Sequence, residues 1–179
     1  IRYLAEEQGY SFTFVPHPNI QEYMKVFTLP SYIKIWEYGF GNIQEVFQNS
    51  MCLITDYSSV AFDIAYLDKI VFYYQFDSDE VFGGSHTYSK GYYSYDDDGF
   101  GPVCKTESEL VYKLNEYLNN IDSSLLNFYL ERIAKTFAYR DSDNCKRVYE
   151  RIIQLDNVGK IDFDIAVLES FVMEAYRNE

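Results

Sequence analysis

The segment "CLITDYSSVAFDIAYLDKIVFYYQFD", Cys52 to Asp77, places the hydroxyls of Ser58 and Ser59 just after the Asp56 carboxylate, where an apolar strand must turn into a helix. Thr55 adds a third hydroxyl at the strand end. The first amides of a helix have no intrahelical partner, and together with the helix dipole they attract an anion. With two or three hydroxyl donors beside them, such amides can grip a phosphate even though the turn has no glycine to let the backbone approach closely. The plainer chemistry is capping, because Ser and Asp accept hydrogen bonds from free amides at most helix starts. On "TDYSS" alone, capping is the preferred reading.

The elements around this turn decide whether it opens on a ligand site. Short apolar runs alternate with helix-period segments through the first two thirds of the chain: strand Tyr10 to Val15, helix Asn19 to Phe27, strand Tyr32 to Trp36, helix Asn42 to Asn49, strand "MCLIT", helix Ser59 to Leu67 and strand "IVFYYQF". Strands apolar on both faces and separated by helices predict an α/β fold, a Rossmann-like parallel sheet with helices on both faces. Open sheets of that kind bind ligands at the carboxyl ends of their strands, where both the 56–59 turn and His17, just past "FTFV", are expected. From Asp77 to Val103 the pattern dissolves into Gly, Ser, Tyr and Asp, which reads as a long functional or mobile loop. Thr106 with Glu109 three residues on is a capping box ahead of an amphipathic helix. Helices are expected near Ser123 to Thr136, Asn144 to Leu155 and Ile161 to Arg177. The organisation predicted is one nucleotide-binding domain over 1–155 and a helical tail over 156–179. The chain opens on "IRYLAEEQGY" without a methionine and with the end of a helix already running, so it is expected to be a piece of a longer protein.

Composition narrows the partners. With 179 residues, 47% of them hydrophobic, the chain can bury a sizeable core. A formal net charge of −13 argues against any broad basic surface for nucleic acid or an anionic membrane, while leaving room for a local site for one small anion. No apolar run reaches bilayer length, so a cytoplasmic location is expected, with any contact to the inner face of a membrane made by parts of the protein outside this chain. Cys52, Cys104 and Cys145 are widely spaced in or beside apolar runs and read as reduced core thiols. No metal or cofactor is expected, since only His17 and His86 accompany them. The run Tyr95 to Gly99, "YDDDG", suits turn chemistry and solvation better than Mg²⁺. The 19 tyrosines are read first as compositional bias of the kind an AT-rich genome imposes, and second as stacking surfaces.

Several segments resemble one family in order and spacing: "HPN", "LITDYSSVAFDIAYL", "VFYYQFD", "KGYYSYDDDGFGPV" and "DSDNCKRVYE". Together they are similar to the CDP-glycerol glycerophosphotransferases, the teichoic-acid primases and polymerases. The resemblance runs from about Phe12 to about Arg151, with "ITDYSS…FD" its most specific block. It implies the C-terminal, donor-binding half of a two-domain GT-B fold, with the acceptor half supplied by a missing N-terminal part. It further implies transfer of glycerol phosphate or ribitol phosphate from a CDP-alditol to a polyol-phosphate or glycolipid acceptor, with release of CMP.

The resemblance also implies roles. Thr55, Ser58, Ser59 and nearby amides would hold the donor diphosphate, and His17 would act on the developing charge as the catalytic residue. Lys90 stands where the family often carries Arg and would pair with phosphate as a point charge, without the bidentate fork. Asp63 would orient the turn, with Asp56 in a supporting place. Asn144 and Arg147, one helical turn apart, would close on the donor from the C-terminal side, and His86 would ride on a loop over the site. Two other readings compete: a GT-B glycosyltransferase with another nucleotide-sugar donor, and a non-catalytic binding module. Titration with CDP, UDP and GDP separates them.

Overall fold

The computed structural model describes residues 1–159 apart from 38, 40, 83–90 and 120–122. Helix α1 (Arg2–Glu6) leads into β1 (Phe12–Phe14), a 3₁₀ helix (Pro18–Val26), β2 (Ile33–Ile35), α2 (Ile43–Asn49), β3 (Cys52–Thr55), α3 (Val60–Tyr66) and β4 (Ile70–Tyr74). Then follow α4 (Ser78–Phe82), α5 (Tyr95–Asp98), β5 (Val103–Cys104), α6 (Glu107–Leu118), α7 (Ser123–Thr136) and α8 (Asn144–Gly159). All strand pairs are parallel.

Strand β4 is the centre of the fold. It pairs with β3 on one side (Cys52 with Ile70 through Thr55 with Tyr73) and with β5 on the other. Its side chains alternate between two cores. Ile70 and Phe72 pack with Leu4, Cys104 and the α6 residues Leu110, Leu114 and Leu118. Val71 and Tyr73 pack with Ala61, Ile64 and Ala65 of α3, with Phe100, and with Ile133 of α7. The period-2 alternation of a strand thus serves a helix layer on each face, which is the α/β arrangement the apolar runs predict.

Local signals set the helix boundaries. The Asn42 side chain accepts from the Gln44 amide at 2.9 Å and starts α2, while Lys69 Nζ donates to the Phe47 and Gln48 carbonyls at 2.6 and 2.5 Å and closes its end. Helix α3 stops where Asp68 takes φ 57°, a left-handed conformation that Asp tolerates better than most residues. The Thr106 hydroxyl accepts from the Glu109 amide at 3.2 Å, and Glu109 accepts in return from the amide of Lys105, one residue before the reciprocal donor of an ideal capping box.

Four expectations change. The segment expected to be a helix over Asn19 to Phe27 is a 3₁₀ helix, opened by Ile20 N–H donating to the His17 carbonyl at 2.9 Å. Its Val26 and the following Phe27 are 79% and 52% exposed, so no core face draws the segment into a longer α-helix. The sheet is paired as two ladders, β1-β2 and β3-β4-β5, rather than as one continuous ladder. Strands β1 and β2 are three residues each; Phe12 of β1 packs against the first core cluster, as do Cys52 and Ile54 of β3. The long segment after Asp77 is not all loop, since it carries α4, α5 and β5, each too short to show a periodicity. Cys104 is buried and Cys52 half-buried, but Cys145 is exposed and is not a core thiol.

The chain separates into two compact units, Ile1–Phe137 and Ala138–Glu179, a division that falls before the expected limit at 155. The expected helix over 161–177 lies outside the described residues. Among the described residues no helix is long and apolar enough to cross a membrane.

Candidate functional site

The turn from Asp56 to Ser59 leaves the carboxyl end of β3 and enters α3. Asp56, Ser58 and Ser59 are exposed and Thr55 is half-buried. Capping does occur here, but weakly: the Ser58 hydroxyl accepts from the Val60 amide at 3.4 Å, and Ser59, the residue at the cap position, makes no side-chain cap. Asp56 turns its carboxylate back on its own neighbour, accepting from the Tyr57 amide at 2.6 Å. Among the described residues, no hydrogen bond engages the amides of Ser58 and Ser59 or the Ser59 hydroxyl.

Residues that the sequence reading did not single out hold this turn from beneath. Gln75, at the carboxyl end of β4, is only 4% exposed, and its Nε2 donates to the Asp56 carbonyl at 3.2 Å. The Tyr95 hydroxyl donates to the Tyr57 carbonyl at 3.3 Å. The Tyr57 hydroxyl donates to Asp77 Oδ1 at 3.0 Å, and its ring meets Phe82 and Tyr95 edge-on at 5.4 and 5.9 Å between centroids. Deeper still, the Tyr73 and Tyr93 hydroxyls share a hydrogen bond of 3.1 Å, and the Phe100 amide donates to Tyr73 at 3.4 Å. Burial, then the hydrogen bond to the Asp77 carboxylate, push the Tyr57 phenol above its ordinary value; burial, then the bond to Tyr73, do the same for Tyr93. Both stay neutral at physiological pH. Part of the tyrosine excess therefore builds a scaffold under the turn. "YQFD" and "YSYDD" were the only signal in the sequence that could have pointed to it, and neither carries a spacing rule.

The other candidates are placed as follows. His17 is exposed, and its Nδ1 accepts from the Asn19 amide at 3.2 Å, capping the 3₁₀ helix. A neutral ring that accepts at Nδ1 carries its proton on Nε2, so a donor remains on the other edge. Asp63 is exposed in the first turn of α3 and, among the described residues, makes no hydrogen bond to the turn, so it does not orient it. A first-turn carboxylate of this kind stabilises its helix through the dipole. Lys90 and His86 lie outside the described residues. Asn144 and Arg147 belong to the second unit, where Arg147 makes a fork to Asp141 at 2.7 and 3.1 Å, donates to Asn144 Oδ1 at 2.6 Å, and lies 4.0 Å from the Tyr139 ring centroid. In the Asp run, Ser94 caps α5: its hydroxyl accepts from the Asp97 amide and donates to the Asp97 carboxylate, and its amide donates to Asp98. These carboxylates are used in turn chemistry.

The architecture is that of the Rossmann-like half of a GT-B enzyme. It matches the wall teichoic acid polymerase TagF with a TM-score of 0.59 at 26% identity, over 86% of this chain and 36% of that one. A TagF variant with a histidine replaced by asparagine, soaked with CDPG, matches at 0.58 and 25% identity, over 90% and 39%. Residues 2–154 match the family model described as CDP-Glycerol:Poly(glycerophosphate) glycerophosphotransferase, and the chain belongs to that family. Among curated relatives it is 38% identical over 153 residues to the minor teichoic acid biosynthesis protein GgaB of Bacillus subtilis, covering 86% of this chain and 16% of that protein. It is 26% identical over 156 residues to a teichoic acid poly(ribitol-phosphate) polymerase of Bacillus spizizenii, covering 84% and 23%. The chain thus spans well under half the length of the relatives it matches.

Proposed function

We propose that this chain is the donor-binding half of a transferase that moves glycerol phosphate, or ribitol phosphate, from a CDP-alditol to a polyol-phosphate or glycolipid acceptor in teichoic-acid or capsular polysaccharide synthesis. The observation that carries the reading is the family match across residues 2–154, which contains the whole 55–59 turn. In the reaction, an acceptor hydroxyl oxygen attacks the phosphorus that bears the alditol. The bond from that phosphorus to the CMP oxygen breaks, CMP leaves with the electron pair, and the hydroxyl proton passes to a base outside this chain. Phosphoryl transfer of this kind gains mainly from positioning and from neutralising charge.

In this reading the amides and hydroxyls of Ser58 and Ser59, with Thr55, hold the diphosphate. The turn's own charges, Asp56 and Asp63, are acidic, so countercharge comes from beyond it, from Lys90, while His17 adds a neutral hydrogen-bond donor at Nε2. The relatives carry both ribitol and glycerol names, which keeps both alditols within the proposal.

Calorimetry with CDP and cytidine tests the site. CDP should bind more tightly than cytidine, and the double change Ser58→Ala, Ser59→Ala should weaken CDP by several-fold to about a hundredfold, at about 1 kcal/mol per lost hydrogen bond and more when the acceptor is charged. Equal binding of CDP and cytidine refutes the site. A folded chain that binds no nucleotide at millimolar CDP supports a non-catalytic module instead. Robust CMP release by this chain alone, given CDP-glycerol and acceptor, would contradict the division of labour with an acceptor half.

A further inference from the structure

The turn's two central peptide groups are each held at the carbonyl. Gln75 Nε2 donates to the Asp56 carbonyl at 3.2 Å from the end of β4, and the Tyr95 hydroxyl donates to the Tyr57 carbonyl at 3.3 Å from α5. In a trans peptide the N–H points opposite to the C=O. A carbonyl held toward the protein therefore aims the next residue's amide away from it. For the peptide joining Tyr57 to Ser58, the amide so aimed is Ser58 N–H, which has no acceptor among the described residues. For the peptide joining Asp56 to Tyr57, it is Tyr57 N–H, on which the exposed Asp56 carboxylate closes at 2.6 Å. The Asp56 carboxylate thus engages the Tyr57 amide and leaves the Ser58 amide open to a ligand. Gln75 stands out for a second reason: it is the buried polar side chain of the described core, and its amide group is committed to this turn. The Tyr57 hydroxyl, donating to Asp77, ties the same turn to the segment following β4.

From this we infer that Gln75 and Tyr95 are positioning residues, which do not touch the donor diphosphate but fix the turn's backbone so that the Ser58 amide meets it. The inference rests on the reading of the turn given above and adds to it the groups that fix the amide directions. A preorganised donor pair spares the ligand the work of ordering the loop, so loss of either hold weakens the phosphate contacts while leaving base and ribose contacts alone.

The test uses the 179-residue chain with CDP and cytidine as probes. Tyr95→Phe removes one hydroxyl and keeps the ring packing; Gln75→Met removes the donor at similar volume. Each should weaken CDP by about fivefold, the equivalent of one ordinary hydrogen bond, with cytidine affinity unchanged. With CDP bound, protection of the Ser58 amide from hydrogen exchange should be weaker in both variants than in the parent, while the exchange of β4 stays as in the parent. A merely structural role would lower the melting temperature and leave the ratio of CDP to cytidine affinity as it was. If Gln75→Met fails to fold, Tyr95→Phe decides the matter alone. If CDP affinity is unchanged in Tyr95→Phe while the Ser58, Ser59 double variant loses it, the inference falls and the site stands. If the parent chain binds CDP no better than cytidine, the site falls, and the inference with it.

Discussion

Gly101 is where one methyl group should do the most damage to the layer that carries the turn. A Cβ at this position would overlap the Val71 carbonyl oxygen and stand 2.8 Å from the Val71 carbonyl carbon and 2.9 Å from Ile70 Cγ2. Two of these three atoms are strand backbone, so no rotamer change relieves the overlap, and the segment must move outward by well over 1 Å to reach an ordinary contact. The segment is held by Val71 N–H donating to the Phe100 carbonyl at 3.2 Å and Tyr73 N–H donating to the Pro102 carbonyl at 2.9 Å. Losing both costs about 2 kcal/mol. Displacing Phe100, which is fully buried between α3 and the Tyr93 ring, adds about 1–3 kcal/mol of strain and lost packing. Gly101→Ala should therefore destabilise the chain by roughly 3–5 kcal/mol, a large share of the 5–15 kcal/mol that a domain typically has. Urea unfolding followed by circular dichroism measures it. Gly91→Ala, with nothing within 4 Å of the added methyl, is the control and should stay within about 0.5 kcal/mol of the parent. A Gly101→Ala protein that loses less than about 1 kcal/mol would show that β5 yields freely, and the account of this layer would be wrong.

Four further outcomes are expected. In the full-length enzyme, His17→Asn keeps a side-chain acceptor for the Asn19 amide whereas His17→Ala does not; if the imidazole acts on the donor, both should lower turnover by about a hundredfold, and recovery of activity in His17→Asn would reduce the residue to a cap. Burial pushes the Cys52 and Cys104 thiols up to about 11, and both stay protonated at pH 8, where Ellman's reagent should label exposed Cys145 in the folded chain and the other two only in denaturant. Because these two values lie above the ordinary thiol value of 9.0, their contribution to stability is intact below about pH 9 and fades as pH rises toward 11, which urea midpoints across that range should show. The hydrogen bonds from Arg147 and then the Asp143 amide hold the Asp141 carboxyl below its ordinary value of 3.8, so its contribution is present above that pH and lost as pH falls below it; an NMR titration midpoint at or above 3.8 would contradict the ion pair.

What the sequence determined by itself is the chemistry that acts over a few residues. Asn42 and Thr106 cap α2 and α6 because a side-chain oxygen and an amide two or three positions on meet whenever a helix begins. The unbroken apolar runs of β3 and β4 required cover on both faces, and the open amides of Ser58 and Ser59 follow from a helix start at that point. Tertiary structure decided the rest. Gln75, Tyr95 and Asp77 meet the turn across separations of 19, 38 and 20 residues, and no periodicity encodes a contact at such distances. The one-turn helices α4 and α5 are too short to leave a pattern, and packing against the strand ends is what selects them. Asp63 shares a block with the turn yet faces solvent, because a helix of 3.6 residues per turn sends Ala61, Ile64 and Ala65 into the core and carries position 63 to the opposite side.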